Sequence, residues 1–394
     1  MSVDPPKWNP RRDEPWRALA AEAWALLQLA VPIMLIALVN MGMSVTDTWM
    51  VSALYGADAL ASVAVASDLY SILFYLGAGV LAGLSPLYTA AVVKADPAER
   101  TRLERIGSTT VLLLALVLVP VLWCAPDWLG LLSLDPALLE RGRGFTRALA
   151  LTLVPMLGVA LYRTILTAAG KPHVFLKVTL AMLPLNAAAN WVFMVGVGPI
   201  PSFGPAGAGI ASLLVACTSV ALLAWIARGS PDAARSGYGG RWIDPRGVAL
   251  VLRVGVPIGI ATVAEVGVSL AATIYAATLG SAEVAAHTLT LRLAGVVYAV
   301  PMALLQASMV RMARAEALGD RSLQRTVTHG SLILSTGLGI ALCLALPRAA
   351  NRWHACSSGR VPPGWRRHRS RCCWCSSSAS PNWRSTPARR LPAC

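Results

Sequence analysis

The chain has 394 residues, 56% of them hydrophobic and only 13% charged. That is too apolar for a soluble domain of this length, so a bilayer is its main solvent. The formal charge of +15 suggests nucleic acid until its placement is read: ten arginines, with no Lys, Asp or Glu, fall between Arg348 and Cys394, and no nucleic-acid partner is expected. Backbone polar groups in lipid must be paired internally, which leaves helices or closed barrels. Long apolar runs without two-residue alternation choose helices.

In chain order, residues 1–23 mix Asp4, Lys7, Arg11, Arg12, Asp13, Glu14 and Arg17 with prolines and show no cleavable signal pattern. They read as a cytoplasmic segment ahead of an uncleaved first helix. Nine charge-poor spans follow, at about 24–50, 60–88, 106–126, 146–168, 176–196, 207–227, 250–279, 285–310 and 327–347. Pro32, Pro120, Pro155, Pro184, Pro257 and Pro301 interrupt them and predict kinks. Basic residues crowd the exits of even-numbered spans: Lys94, Arg100, Arg102 and Arg105; Lys171 and Lys177; Arg228, Arg235, Arg241 and Arg246; Arg311, Arg314, Arg321 and Arg325. The exits at 52–59, 197–206 and 280–284 hold no Lys or Arg. The positive-inside bias then predicts a multi-pass protein of the inner (cytoplasmic) membrane with its N-terminus in the cytoplasm. The loop after span three is the exception, with Arg141 and Arg143 against Asp127, Asp135 and Glu140.

The sequence repeats itself at an offset of 225 positions. Val31-Pro32-Ile33 falls on Val256-Pro257-Ile258, Leu54 on Leu279, Ala57-Asp58 on Ala282-Glu283 and Ala61 on Ala286. Spans one, two and three thus pair with seven, eight and nine, and both copies start at an odd-numbered span. The repeats are parallel, related by a pseudo-two-fold along the membrane normal. The expected architecture is an all-α polytopic membrane protein of two six-helix lobes, the second cut after its third helix. The lobes are an N-lobe at 24–228 and a partial C-lobe at 249–347, joined by a cytoplasmic linker at 229–248.

Residues 348–394 change composition to Arg, Ser, Cys, Trp and Pro, and hold five of the eight cysteines. We read this tail as out-of-frame translation of a GC-rich gene, leaving a truncated product that is functional or not. The alternative is a native tail binding metal through Cys372, Cys373, Cys375 and His368, against which stands the lack of paired zinc-ligand spacing.

Several polar residues interrupt apolar spans. Asp47 lies near the far end of span one, where burial disfavours the charged form, so a carboxylate there can hold and release a proton; capping a helix end at the interface is the plainer role. Asn186 and Asn190 are four apart on span five, hence on one helical face, where bonds between packed helices are the plainer role. Ser212 and Thr218 on span six are candidates to complete their cluster. Asp68, with Tyr70 and Tyr75 on span two, is a candidate second buried acid lining a cavity, or else a member of a local ion pair. Glu265 on span seven falls on Asn40 in the repeat, not on Asp47. It is expected to be protonated or paired with Arg292 of span eight. His287, Trp49, Trp191 and Phe193 read as packing or interfacial residues first. No nucleophile motif or metal-type cluster points to an enzyme.

The order of these segments resembles the multidrug and toxic compound extrusion (MATE) family of secondary transporters. The resemblance runs from about Leu26 to Leu346, through LAVPIMLIALVNMGMSVTDTWMVSALYGADALASVAVA, GLSPL, LYRTILTAAGKPHV, PLNAAANWVFMVG, GPAGAGIAS, VGVPIGIATVAEVGVS and LGSAEVAAHTLTLRL. It implies an alternating-access antiporter, a monomer without cofactors, that extrudes small organic cations or drugs across the cytoplasmic membrane. Coupling would be to protons or sodium, protons being favoured because position 190 is an amide where some members carry a carboxylate. By the same resemblance Asp47, Asn186 and Asn190 match an N-lobe ion site and Glu265 a C-lobe cation site. A flippase of lipid-linked sugars in the same superfamily is the alternative, and it predicts a more cationic cavity.

Overall fold

The computed structural model describes residues 15–129, 136–199, 201–228, 244–279 and 281–357. Ten helices occupy them: α1 Pro15–Ala82, α2 Leu84–Val93, α3 Pro97–Trp123, α4 Ala125–Leu129, α5 Pro136–Ala168, α6 Pro172–Val195, α7 Ala206–Arg228, α8 Pro245–Leu279, α9 Ser281–Ala317 and α10 Arg321–Ser357. Among the described residues nine segments are long and apolar enough to cross a membrane, from Leu19–Tyr55 to Arg321–Leu344, the number expected from sequence. The expected tail from 358 onward, the linker at 229–243 and the side chains of His287 and Arg292 lie outside the described residues.

Three helix starts on the basic-loop face share one device. Asp96, Asp244 and Asp320 each precede a helix and accept backbone N–H bonds from its first turn: Ala98 and Glu99 at 3.0 Å, Gly247 at 3.0 Å, and Ser322 and Leu323 at 2.9 and 3.0 Å. Pro97 and Pro245 follow the first two caps at a position whose missing N–H costs nothing. The six interior prolines expected to interrupt spans all sit within unbroken helices. In lipid, hydroxyls find partners within their own helix: Thr110, Thr146 and Thr179 each donate to the carbonyl four residues back at 2.8–3.0 Å.

Spans one and two, expected as separate helices, belong to one helical run, α1. Gly79 abuts Gly259 and Gly83 abuts Gly255, so this part of α1 runs antiparallel to α8, and Pro86, one turn beyond Gly83, lies beside Ser308, Met309 and Met312 of α9. Glu22 meets Arg311 near the end of α9, level with Gly255. Glu22 and Gly83 therefore lie at one level, where a straight helix would set them about 90 Å apart. The run doubles back between Tyr55 and Ala66, and the two spans cross in opposite directions.

The chain forms two compact units, Met1–Ile333 and Leu334–Cys394. The core of the first is built from Leu81, Leu84, Leu122, Leu153, Leu157 and Val251, all buried, with a second cluster around Ile36, Phe175 and Leu223. Of the second unit the described part is the continuation of α10, which passes through the expected boundary at 347 and runs to Ser357.

Within the first unit, spans one to six meet spans seven to nine along a seam on the basic-loop face. A Cβ added to Gly255 would stand 2.0 Å from the Val80 carbonyl oxygen, and one on Gly79 2.5 Å from the Gly259 Cα, so the two backbones touch. Glu22, buried, takes both Nε and Nη2 of Arg311, the first at 2.7 Å. Arg163 of α5 donates to Gln306 Oε1 of α9 at 3.2 Å, and Arg102 of α3 donates twice to Asp244 Oδ2, at 2.6 and 2.9 Å.

In the exceptional loop after span three, the described arginine stands between two acids. Arg143 stands 3.4 Å from an Asp127 oxygen and 2.8 Å from a Glu140 oxygen, although its Nε–H is not aimed at the latter. Asp135 and the Arg141 side chain lie outside the described residues.

Candidate functional site

Asp47 sits inside α1, directly after Thr46, whose hydroxyl donates back to the Gly42 carbonyl at 2.9 Å. Helical spacing on α6 brings Asn186 and Asn190 to one face, and both amides donate to the same oxygen, Asp47 Oδ1, at 2.6 and 2.5 Å. Asn186 is 4% exposed and Asn190 fully buried. The amides make the interhelical bonds of their plainer role, and Asp47, inside α1 and not at a helix end, is joined by them into one three-residue site that links spans one and five.

The geometry leaves one acceptor open. Asn190 Oδ1 is buried and has no hydrogen-bond partner, an arrangement that is costly while it lasts. A charged carboxylate has no hydrogen to offer that oxygen. A carboxylic acid does: acid and primary amide form a complementary pair, each donating once and accepting once. A dehydrated cation would also satisfy it. The site holds one carboxyl group and one buried amide oxygen without a hydrogen-bond partner.

Ser212 and Thr218 do not join this cluster, contrary to expectation. Each bonds back along α7, to the Ala208 carbonyl at 3.0 Å and the Leu214 carbonyl at 2.8 Å. Asp68 is exposed, not buried. Tyr70 stacks on Phe74 with ring centroids 6.0 Å apart, and Tyr75 packs at a tilt on the same ring. Glu265 is exposed and accepts a bond from the Tyr298 hydroxyl, a partner the sequence reading missed because it looked for a cation. The side chain of the expected partner, Arg292, lies outside the described residues. Trp49 and Trp191 are well exposed, as interfacial residues would be, and Phe193 packs against Phe203.

Other residues gained importance only in three dimensions. Tyr55 donates to the Met194 carbonyl at 2.6 Å, tying span one to the end of α6 beside the Asp47 site. Arg163 lies inside LYRTILTAAGKPHV, yet nothing in that string announces Gln306 as its partner. The glycine seam did carry a signal: Gly79 and Gly83, and Gly255 and Gly259, are two GxxxG pairs, the pattern that lets membrane helices approach closely.

Comparison with known proteins agrees with this fold. The MatE family profile matches residues 32–192 and 257–352, reaching slightly beyond the resemblance expected to stop at Leu346. "Probable multidrug resistance protein NorM" of Rhizobium meliloti (strain 1021) is 30% identical over 320 residues, 80% of this chain and 68% of the relative. The protein of the same name from Bradyrhizobium diazoefficiens is 30% identical over 340 residues, 86% of this chain and 73% of the relative. Among solved structures, the eukaryotic MATE transporter AtDTX14 superposes with a TM-score of 0.76 at 17% identity, over 85% of this chain and 74% of that one. A MATE family transporter of the MOP superfamily in an outward-facing conformation gives 0.68 at 17% identity, over 86% and 74%. With two thirds of its length inside the family profile and a matching helical fold, the chain belongs to the MatE family of multi-pass membrane transporters.

Proposed function

We propose that the chain is a proton-coupled antiporter that extrudes small amphipathic organic cations from the cytoplasm, with Asp47 as the residue that carries the coupling proton. The observation behind this reading is the pair of amides on Asp47 together with the unpartnered Asn190 oxygen. Protonation of Asp47 supplies the missing donor and removes a buried charge. The loaded and unloaded sites then differ in both hydrogen bonding and electrostatics, and this difference is what biases a two-state transporter. One acid with two neutral amides is a sparse ligand set for sodium, whose charge is best met by several oxygens, and favours the proton. The relatives' names, multidrug resistance protein NorM, support drugs as the cargo class.

The test is transport of ethidium by the full chain in proteoliposomes under an imposed pH gradient. Wild type transports and Asp47→Asn does not, while both insert equally; a variant that still transports removes Asp47 from the mechanism. A sodium gradient without a pH gradient should drive nothing. Arg163, a cation whose named partner is the neutral Gln306, favours a second reading, a flippase of anionic lipid-linked sugars. Uptake of such a lipid without ethidium transport would establish it instead.

A further inference from the structure

We propose that the Glu22–Arg311 ion pair and the paired glycines Gly79, Gly83, Gly255 and Gly259 form a latch that closes the basic-loop face between spans one to six and spans seven to nine. The proposal rests on reading the chain as an alternating-access transporter, but its test reads a distance and not transport, so the two fail separately.

Glu22 is 6% exposed, and its two oxygens take two nitrogens of Arg311, whose side chain is 22% exposed. Gly330 on α10 packs beside this pair, where a Cβ would make ordinary contact, 3.8 Å from Glu22 Cγ. A buried carboxylate is tolerable when held in this manner, or when it is fully hydrated after the helices part. Half-opened, it has neither partner nor water, which is the costly condition. The pair therefore favours two end states over anything between.

The glycine contacts behave alike. With backbones touching at 79/259 and 83/255, attraction depends on atoms at van der Waals distance and falls away within the first ångström of separation. A methyl group at 255 would collide with the Val80 carbonyl 2.0 Å away, against backbone that cannot turn aside. Both components are short-ranged and lie at one level of the bundle. Together they give the face a discrete closed state, as packed interfaces do, instead of a graded one. The bonds Arg163–Gln306 and Arg102–Asp244 join the same two sets of helices on the same face.

The experiment uses the full chain with its native cysteines replaced by serine, reconstituted in liposomes. Spin labels are placed at the exposed positions Lys94 and Arg321, one on each side of the seam, and their separation is measured by pulsed dipolar spectroscopy. The parent shows mainly a short separation. Glu22→Gln, which keeps shape but loses charge, raises the ratio of long to short separation by about tenfold, the change expected for one lost charge-assisted hydrogen bond. Gly255→Ala does likewise. The exchanged pair, Glu22→Arg with Arg311→Glu, returns the distribution toward that of the parent. Unchanged distributions in Glu22→Gln and Gly255→Ala would overturn the latch, and so would an exchanged pair as open as Glu22→Gln.

Discussion

Asp47 and Glu265 are both carboxylates on transmembrane helices, one in each half of the repeat, yet the fold treats them differently. Asp47 is enclosed by α6 and receives two amide hydrogens on one oxygen from residues that are 4% and 0% exposed. Glu265 is exposed and has a single described hydroxyl partner, Tyr298, itself exposed. The lesson is that an acid in an apolar run acquires a specialised role from what neighbouring helices bring to it. Span five brings two amides to Asp47 because its asparagines are spaced by one helical turn.

The sharpest way to break this comparison is to neutralise each acid in turn. Asp47→Asn should reduce pH-driven transport to the level of empty liposomes, whereas Glu265→Gln, which can still accept from Tyr298, should leave it within about threefold, the range of an exposed polar contact. Equal losses would erase the distinction. Next in size, Asn190→Ala removes both a donor to Asp47 and the waiting acceptor. Losing a hydrogen bond to a charged group costs about 1.5–3 kcal/mol, so transport should fall tenfold or more. Asn186→Ala removes one donor only and should cost less, a ranking that a transport titration of the two variants checks.

The smallest effect concerns Asp244, outside the spans. Its carboxyl is held below the ordinary carboxylate range, first by the Gly247 backbone N–H and then by Arg102. A lowered folded value means that the stabilisation is complete above the unfolded carboxylate range near 4 and is lost as pH falls through the lowered value. Thermal unfolding of wild type and Asp244→Asn should therefore differ by a constant small amount from pH 7 to about 5 and converge only in stronger acid. Convergence already near pH 6 would contradict that assignment.

Much of this was legible in the sequence for definite reasons. Charge-free length gave nine spans because lipid permits little else, and the basic exits gave each span its direction. Asn186 and Asn190 were readable as one face because helical spacing is fixed by geometry. Their shared use of a single Asp47 oxygen was not, since it depends on how α6 packs on α1. Asp68, Ser212 and Thr218 misled for the opposite reason: hydroxyls in lipid can be satisfied four residues back along their own helix, and a residue's position along a span does not say which side faces protein. The glycine seam was written in the sequence as two GxxxG pairs, but only their mutual contact shows that they belong together. Arg311 stood out merely as one of the basic residues at an exit, and its pairing with the buried Glu22, 289 positions away, is a tertiary fact.

The central claim is that Asp47 is the residue that gains and loses the proton. Infrared difference spectra of the reconstituted protein between acid and neutral pH read carboxylic-acid C=O groups directly. One component of the protonated-carboxyl band, present in wild type and in Glu265→Gln, is expected to be missing from Asp47→Asn while the bands of the other carboxyls remain. Survival of that component in Asp47→Asn and its loss in Glu265→Gln would contradict the claim.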